Sequence, residues 1–210
     1  SPELFLRLRG REVETRPIKG TIRRPTDPRT DPDADRLAAE ALLASEKDRA
    51  ENIMIVDLLR NDLSRVAEPD SVDVPTLCEI ESYRGLHHLV SVVRARLQPD
   101  ESPGSLLRAT FPGGSITGAP KIRATDIITE LEGQRRDVYC GCVGCLGFDG
   151  SADLSIAIRT VEFEGSQGHF GVGGGVTILS DGRSEFQETE TKAARVLQAF
   201  EEYARKSPPA

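Results

Sequence analysis

The sequence is poor in the features that define several protein classes. It contains no tryptophan and one methionine, and aromatic residues make up 5% of its 210 positions. No apolar run approaches the ~18 residues of a membrane-spanning helix, so we expect no membrane association. The net charge of -7 argues against nucleic acid as a partner. The polar opening predicts that no signal peptide is present, and the composition otherwise suits a soluble globular protein.

Cysteine is scarce but clustered. Three of the four cysteines lie close together in the chain, at positions 140, 142 and 145, and the fourth is Cys78. A metal site is one interpretation, but no second cluster is present to complete it. We expect Cys140 and Cys142 to share one face of a buried strand, as small apolar residues. Reduced thiols predict a cytoplasmic location.

The periodicity predicts more strands than helices. We expect strands within residues 4–16, 86–97, 138–148, 153–163 and 167–179, a short strand or loop over 71–80, and a loop over 22–34. Helices are expected from about Asp35, from about 119–121 and over 185–204. Neighbouring strands of this kind indicate an α+β fold with mostly antiparallel pairing. We expect one catalytic segment over residues 1–204 and a frayed tail over 205–210.

A glycine-rich stretch, FPGGSITGAPKIRA, covers residues 111–124. It precedes the apolar pattern of the second predicted helix. Glycines allow close approach of a ligand to the backbone, and the N–H groups at a helix start attract anions. A loop-to-helix junction without a ligand is the alternative.

Two pairs of carboxylates occupy unusual places in the helices. In the helix from Asp35 the inward stripe comprises Leu37, Ala41, Ala44, Asp48, Glu51, Ile55 and Leu58. Glu185 and Glu188 begin the last helix with the same spacing. Buried carboxylates repel one another, and a divalent cation such as Mg²⁺ would remove that conflict. Solvated helix starts are the alternative, which suits the second pair better than the first.

Several basic and small residues could hold an anionic ligand. Arg159 is predicted on a strand face beside Ser155 and Ala157, which leave room for a carboxylate at its guanidinium. A surface arginine on an edge strand is the alternative. The glycines of GVGGG, residues 171–175, could offer N–H groups, or could form a simple bulge. Lys192 could contact a ligand, or could pair with Glu188 one turn earlier.

The order of these motifs resembles the chorismate-utilising enzymes, from Ser1 to the last helix. The matching strings are SPE (1–3), PIKGT (17–21), DRAENIMIVDLLRNDL (48–63), HHLVS (87–91), the glycine-rich loop, AIRT (157–160), GVGGG and EFQETETKA (185–193). The resemblance implies a two-subdomain α/β sandwich with the active site between its layers. It also implies that this chain corresponds to the C-terminal half of a longer enzyme.

The resemblance further assigns roles to individual residues. It implies that Glu51, Glu185 and Glu188 bind Mg²⁺ with Asp48 beside them, and that the metal binds the ring carboxylate of chorismate. It places Arg159 at the enolpyruvyl carboxylate, with Tyr139 nearby. The remaining implied substrate contacts are Thr21, His88, Gly173, Gly174, Gly175 and Lys192.

Lys19 distinguishes reactions within the family. Members that make anthranilate or salicylate resemble PIAGT at this motif, whereas lysine at the third place is typical of the aminodeoxychorismate synthases. The resemblance implies that Lys19 attacks C2 of chorismate as a nucleophile, and that Glu3 is the general acid for the departing C4 hydroxyl. Ammonia, supplied by a separate glutamine amidotransferase, then gives 4-amino-4-deoxychorismate, on the way to 4-aminobenzoate and folate.

Three alternatives remain at this point. Lys19 could be an exposed lysine at a strand end. The enzyme could be an anthranilate synthase. The chain could also be an inactive module that binds chorismate or acts as a scaffold, because the N-terminal half of the family is missing from it.

Overall fold

The computed structural model describes residues 3–25, 31–178 and 180–206. Within these ranges the strands are β1 (Leu4–Arg9), β2 (Glu12–Arg16), β3 (Ile18–Arg23), β4 (Asp73–Ser82), β5 (Leu86–Arg96), β6 (Cys142–Leu146), β7 (Ala152–Ile156), β8 (Val161–Glu164) and β9 (Gln167–Phe170). The helices are α1 (Pro32–Ala44), α2 (Glu46–Ser64), α3 (Pro103–Thr110), α4 (Gly114–Thr117), α5 (Lys121–Glu132) and α6 (Gly182–Lys206). The predicted α+β class is confirmed.

Seven of the described strands form one sheet, in the order β3-β5-β2-β1-β7-β6, with β4 also paired to β5. Every strand pair is antiparallel, as the sequence predicted. The long strand β5 pairs with β3 near its start, with β2 near its end and with β4 along its other side. Strands β8 and β9 form a separate hairpin.

Helix α2 covers the central part of the sheet. Its residues Ile55, Val56, Leu59 and Leu63 are buried in one cluster with Leu6 and Leu8 of β1. In β1 the usual alternation of buried and exposed residues is interrupted, because the register shifts between Leu4 and Arg7. Such a bulge turns both Phe5 and Leu6 towards the core. The residue before this strand, Glu3, is thereby drawn into the interior.

The single long helix predicted from Asp35 is wrong. The chain breaks at Ser45, which ends α1 and caps α2 by accepting a hydrogen bond from the Asp48 backbone N–H at 3.3 Å. A serine hydroxyl at a helix start satisfies an otherwise unpaired N–H group. The break turns Leu42 into the core and leaves Leu37 exposed, so the predicted stripe does not continue across it.

Two strand predictions near the C-terminal end were too long. Strand 153–163 is divided into β7 and β8, and Arg159 lies in the turn between them with a φ of 52°. The predicted shared face of Arg159 with Ser155 and Ala157 is therefore wrong. Strand 167–179 ends at Phe170, so GVGGG lies in an irregular segment.

The cysteine prediction also needs correction. Cys140 precedes β6 and has a φ of 67°, so it does not share a strand face with Cys142. Cys140 is buried, whereas Cys145 is exposed, because β6 is an edge strand with β7 as its partner. All four cysteines are free thiols.

The strand predicted over 138–148 is shorter in the structure, where β6 covers Cys142–Leu146. Residues 26–30 of the loop predicted over 22–34 lie outside the described ranges. The other element predictions are close to the structure. Helix α5 begins at Lys121 as expected, although Pro120 occupies the N-cap position and Leu131 is exposed. The last helix continues through Lys206, so part of the predicted tail is helical, and residues 207–210 lie outside the described ranges. No helix in the described part of the chain is long and apolar enough to cross a bilayer.

Candidate functional site

Lys19 lies in a sheltered position near the start of β3. Its Nζ atom donates a hydrogen bond to the Ser115 carbonyl at 3.2 Å and lies 3.9 Å from Glu51 Oε2. The side chains of Lys19 and Glu51 are 18% and 12% exposed. The interpretation of Lys19 as an exposed strand-end lysine is therefore wrong. Its amine faces the glycine-rich loop and α2.

Glu3 is buried beside this lysine. Burial raises the pKa of its carboxyl group, while a hydrogen bond with the Ser115 side chain and the charge of Lys19 act in the opposite direction. The backbone is held in place because the Glu3 carbonyl accepts a hydrogen bond from Ile156 N–H at 3.1 Å. A firmly held carboxyl group with a raised pKa is suited to donate a proton near neutral pH.

Glu51 and Glu185 lie on either side of one lysine. Lys47 Nζ is 2.5 Å from Glu185 Oε1 and 4.0 Å from Glu51 Oε1. Burial raises the pKa of Glu51, and the positive charges of Lys19 and Lys47 partly offset that effect. A hydrogen bond from Lys47, then one from Ser180, lowers the pKa of Glu185. Glu51 of α2 and Glu185 of α6 thus share the ammonium group of Lys47.

The other two predicted acidic residues face different partners. Asp48 accepts a hydrogen bond from Ser45 Oγ at 2.6 Å and packs over Gly20. The exposed Glu188 lies 2.7 Å from Lys192 Nζ, which also donates to the Gly173 carbonyl at 3.0 Å. In the described ranges, no three His, Cys, Asp or Glu side chains are close enough to hold a metal ion together.

The carboxylate oxygens of Glu51 and Glu185 nevertheless suit a hard cation such as Mg²⁺. The ammonium of Lys47 lies between Glu51 and Glu185, and it also interacts electrostatically with Glu188. Mg²⁺ needs only one or two protein carboxylates when waters and ligand oxygens complete its shell. Glu51 and Glu185 fit that requirement, with Glu188 close enough to add to the negative field.

The GVGGG segment lies directly over these acids. A Cβ atom at Gly174 would be 3.1 Å from Glu185 Oε2, and one at Gly175 would be 3.3 Å from Glu51 Oε2. At Gly171 the added atom would overlap the Tyr139 ring, at 2.3 Å. At Gly171 a side chain would displace the Tyr139 ring, whereas at Gly174 and Gly175 the two carboxylates would have to move by a few tenths of an ångström.

A second group of predicted residues meets at the junction of β3 and β5. Thr21 Oγ1 is 2.7 Å from His88 Nδ1, since these two residues are paired in the sheet register. Burial, then the charge of Arg159, lowers the pKa of His88. His88 is therefore neutral at physiological pH, and the exposed Arg159 lies near enough to affect it. Its neighbour His87 points away and contacts Ser82 and Asp35.

Tyr139 lies between the GVGGG segment and Arg136. The Arg136 guanidinium carbon is 5.7 Å from the centre of the Tyr139 ring, a cation–π arrangement. Burial raises the pKa of Tyr139, so the phenol is neutral and can donate a hydrogen bond.

Sequence reasoning missed two residues of this site. Lys47 is four positions before Glu51 on the same helix face, and this spacing could have identified it. Ser115 lies in the glycine-rich loop, but the local sequence does not predict its contacts with Lys19 and Glu3. The loop is fixed by Lys121, whose Nζ donates to Asp62 Oδ2 at 2.6 Å and to the Thr110 carbonyl at 2.9 Å.

The family is decided by comparison with known proteins. The model of the chorismate binding enzyme family matches residues 1–198. The chain belongs to this family. The resemblance inferred from the motifs is thereby confirmed.

Individual relatives agree with this assignment. The chain is 52% identical over 201 residues to aminodeoxychorismate synthase component 1 of Salmonella typhimurium, covering 96% of this chain and 43% of that protein. It is 45% identical over 199 residues to anthranilate synthase component 1 of Streptomyces coelicolor, covering 95% and 38%. The crystal structure of anthranilate synthase component I from Streptococcus pneumoniae superposes with a TM-score of 0.82 at 39% identity, covering 93% and 42%. The chain thus spans less than half the length of these relatives.

Proposed function

We propose that this chain is the C-terminal part of the large component of an aminodeoxychorismate synthase. The reaction is chorismate plus ammonia giving 4-amino-4-deoxychorismate and water, a step towards 4-aminobenzoate and folate. The observation that carries the proposal is the position of Lys19, whose amine lies beside Glu51, the Ser115 carbonyl and the buried acid Glu3. Relatives named aminodeoxychorismate synthase support it with identities of about half the matched residues.

The neighbourhood of Lys19 suits nucleophilic catalysis. The Lys19 amine attacks C2 of chorismate, the ring double bond shifts, and the C4 hydroxyl leaves as water with a proton from Glu3. Ammonia then attacks C4 while the bond between C2 and the lysine nitrogen breaks. The double bond returns, Lys19 is regenerated, and the ammonium nitrogen formed at C4 gives a proton back to Glu3. The two steps together add ammonia and release water.

Glu51 and Glu185 would hold Mg²⁺ in this proposal, with Glu188 and Asp48 nearby. When bound, the metal supplies positive charge that neutralises the ring carboxylate of chorismate. Glu51 would therefore connect the metal site to Lys19, because one of its oxygen atoms faces Lys47 and the other faces Lys19.

The remaining contacts orient the substrate. Arg159 would bind the enolpyruvyl carboxylate, with the phenol of Tyr139 nearby. Thr21 and the neutral His88 would contact the ring substituents, and the amides of Gly173, Gly174 and Gly175 would face carboxylate oxygens. Lys192 would contribute a positive charge, after release from Glu188.

The source of ammonia completes the proposal. The Salmonella relative is named as a first component, which supports a partner component for this chain as well. We assign that partner as a glutamine amidotransferase. A cytoplasmic location also belongs to the proposal, and the four free thiols support it.

The test is a search for a covalent intermediate on Lys19. The full-length protein is incubated with chorismate and Mg²⁺ without ammonia, and its peptides are examined by mass spectrometry. We expect a chorismate-derived adduct on Lys19 that disappears in Lys19→Ala. Lys206→Ala, which removes an exposed lysine at the end of α6, is the matched control and keeps the adduct.

The products distinguish the alternatives. With ammonium added, the wild-type protein should form 4-amino-4-deoxychorismate, while Lys19→Ala should lose that product and could form anthranilate instead. Anthranilate as the sole wild-type product would overturn the proposal in favour of anthranilate synthase. Absence of any product from the full-length protein would favour the inactive binding or scaffold module.

A further inference from the structure

Lys47 lies between the two carboxylates that the proposed function assigns to a metal ion. Its Nζ atom is 2.5 Å from Glu185 Oε1 and 4.0 Å from Glu51 Oε1. With Lys19 on the far side of Glu51, the charges alternate along one row: Lys19, Glu51, Lys47, Glu185. Each carboxylate therefore already has a positive neighbour.

The ammonium of Lys47 is held there by strong interactions. Its Nζ atom donates a hydrogen bond to Glu185 Oε1 at 2.5 Å, and the Glu51 carboxylate lies on its other side at 4.0 Å. The Glu185 carboxylate is kept in place by Ser180 Oγ, which donates to the same oxygen at 2.6 Å. Hydrogen bonds between two charged groups are among the stronger contacts in proteins.

We propose that Lys47 is a built-in counter-ion that occupies the metal position, and that a divalent cation binds only when the Lys47 ammonium moves away from Glu185. This inference rests on the proposed function, because it assumes that Glu51 and Glu185 are metal ligands. It makes Lys47 a determinant of metal affinity. The acids remain neutralised without metal, and metal binding is weakened by the cost of displacing the lysine.

The arrangement also explains how metal and substrate binding would be linked. Replacing a single positive charge by a divalent ion leaves the row with one more positive charge. A substrate carboxylate supplies the opposite charge, so each ligand strengthens the binding of the other. Metal binding to the free protein should accordingly be weak.

The experiment measures Mg²⁺ affinity of the full-length protein without substrate, by isothermal titration calorimetry. Lys47→Met removes the ammonium and keeps most of the side-chain length. We expect Lys47→Met to bind Mg²⁺ about ten- to a hundredfold more tightly than the wild type, which is the effect of losing one charged hydrogen bond. Lys47→Arg, which keeps the charge, should remain close to the wild type.

Thermal unfolding provides a second readout. Without metal, Lys47→Met should unfold at a lower temperature, because Glu51 and Glu185 lose their shared counter-ion. Saturating Mg²⁺ should remove the difference in unfolding temperature between Lys47→Met and the wild type. A purely structural ion pair would lower the unfolding temperature equally with and without Mg²⁺, and that result would overturn the inference.

Arg36→Met is the matched control. It breaks another pair four residues apart, between Arg36 and Glu40 at 2.7 Å on the exposed face of α1. Its Mg²⁺ affinity should equal that of the wild type. A similar gain in Arg36→Met and Lys47→Met would show a general charge effect and would overturn the inference.

The outcomes separate this inference from the proposed function. Equal Mg²⁺ affinity in the wild type and Lys47→Met, with 4-amino-4-deoxychorismate still formed, overturns the role of Lys47 alone. Absence of Mg²⁺ binding in all variants, even with chorismate present, overturns both the inference and the metal site of the proposed function.

Discussion

At the scale of single residues, Ser115 joins the two groups to which the proposed chemistry is assigned. Its carbonyl accepts a hydrogen bond from Lys19, and its side chain lies close enough to Glu3 to lower the pKa of that carboxyl group. The amine and the acid are thus held against the same residue of the glycine-rich loop. A displacement of that loop would change the positions of both.

The buried carboxyl of Glu3 makes the stability of the fold depend on pH. Burial raises its pKa above the usual value of 4.5 for a glutamate, so the folded state binds this proton more tightly than the unfolded chain does. The resulting stabilisation is present below pH 4.5 and is lost as the pH rises through the folded pKa. We expect Glu3→Gln, which stays neutral, to lose less stability than the wild type between pH 4.5 and pH 8.

Urea unfolding of both proteins at several pH values measures this difference. Glu190→Gln, which removes an exposed carboxylate from α6, should follow the wild-type pH profile. Parallel profiles for the wild type and Glu3→Gln would show that the proton on Glu3 is not linked to folding.

At the scale of elements, the site depends on where helices and strands stop. The break at Ser45 orients the start of α2, from which Lys47, Asp48 and Glu51 project. The apolar periodicity continued through this point, so the sequence predicted one helix. A single hydroxyl capping contact decided the boundary, and contacts of this kind are weak signals in a sequence.

The approach of β3 to α2 can be tested at Gly20. This residue has a φ of 85°, and an added Cβ would lie 2.9 Å from Asp48 Cγ and from Leu42 Cδ1. We expect Gly20→Ala to destabilise the fold by about 2–4 kcal/mol, from backbone strain and overpacking together. The free energy of unfolding in urea measures the loss.

Gly10→Ala isolates the backbone contribution. Gly10 also has a positive φ, of 59°, but nothing lies within 4 Å of an added Cβ. The free energy of unfolding of Gly10→Ala should be lower than that of the wild type by about 1 kcal/mol. If both variants lost the same stability, the close packing of β3 against α2 would not contribute.

At the scale of the whole molecule, the described surface has an uncovered apolar region near β6. Val143 and Leu146 are 53% and 61% exposed, and the neighbouring Phe148 is also exposed. Strand β6 pairs only with β7 among the described strands, so its other edge carries free backbone groups. An apolar edge strand of this kind promotes association between chains.

We therefore expect the 210-residue chain on its own to self-associate through β6. Val143→Lys places a charge on this edge strand and should weaken the association by about tenfold in dissociation constant. Sedimentation velocity over a range of concentrations measures the change. Leu43→Lys, at a partly exposed position on α1, is the control and should leave the association unchanged. Equal effects of both variants would point to charge in general.

The sequence alone determined the family, the antiparallel α+β class and which acids lie one turn apart on a helix, because these follow from local patterns and from motifs read in order. The spacing of Asp48 and Glu51, for example, is a property of one helix. Only the tertiary structure placed Lys47 against Glu185 and Lys19 against Ser115, pairs separated by 138 and 96 positions. Contacts over such separations depend on how the sheet brings distant elements together, and no local sequence pattern predicts them.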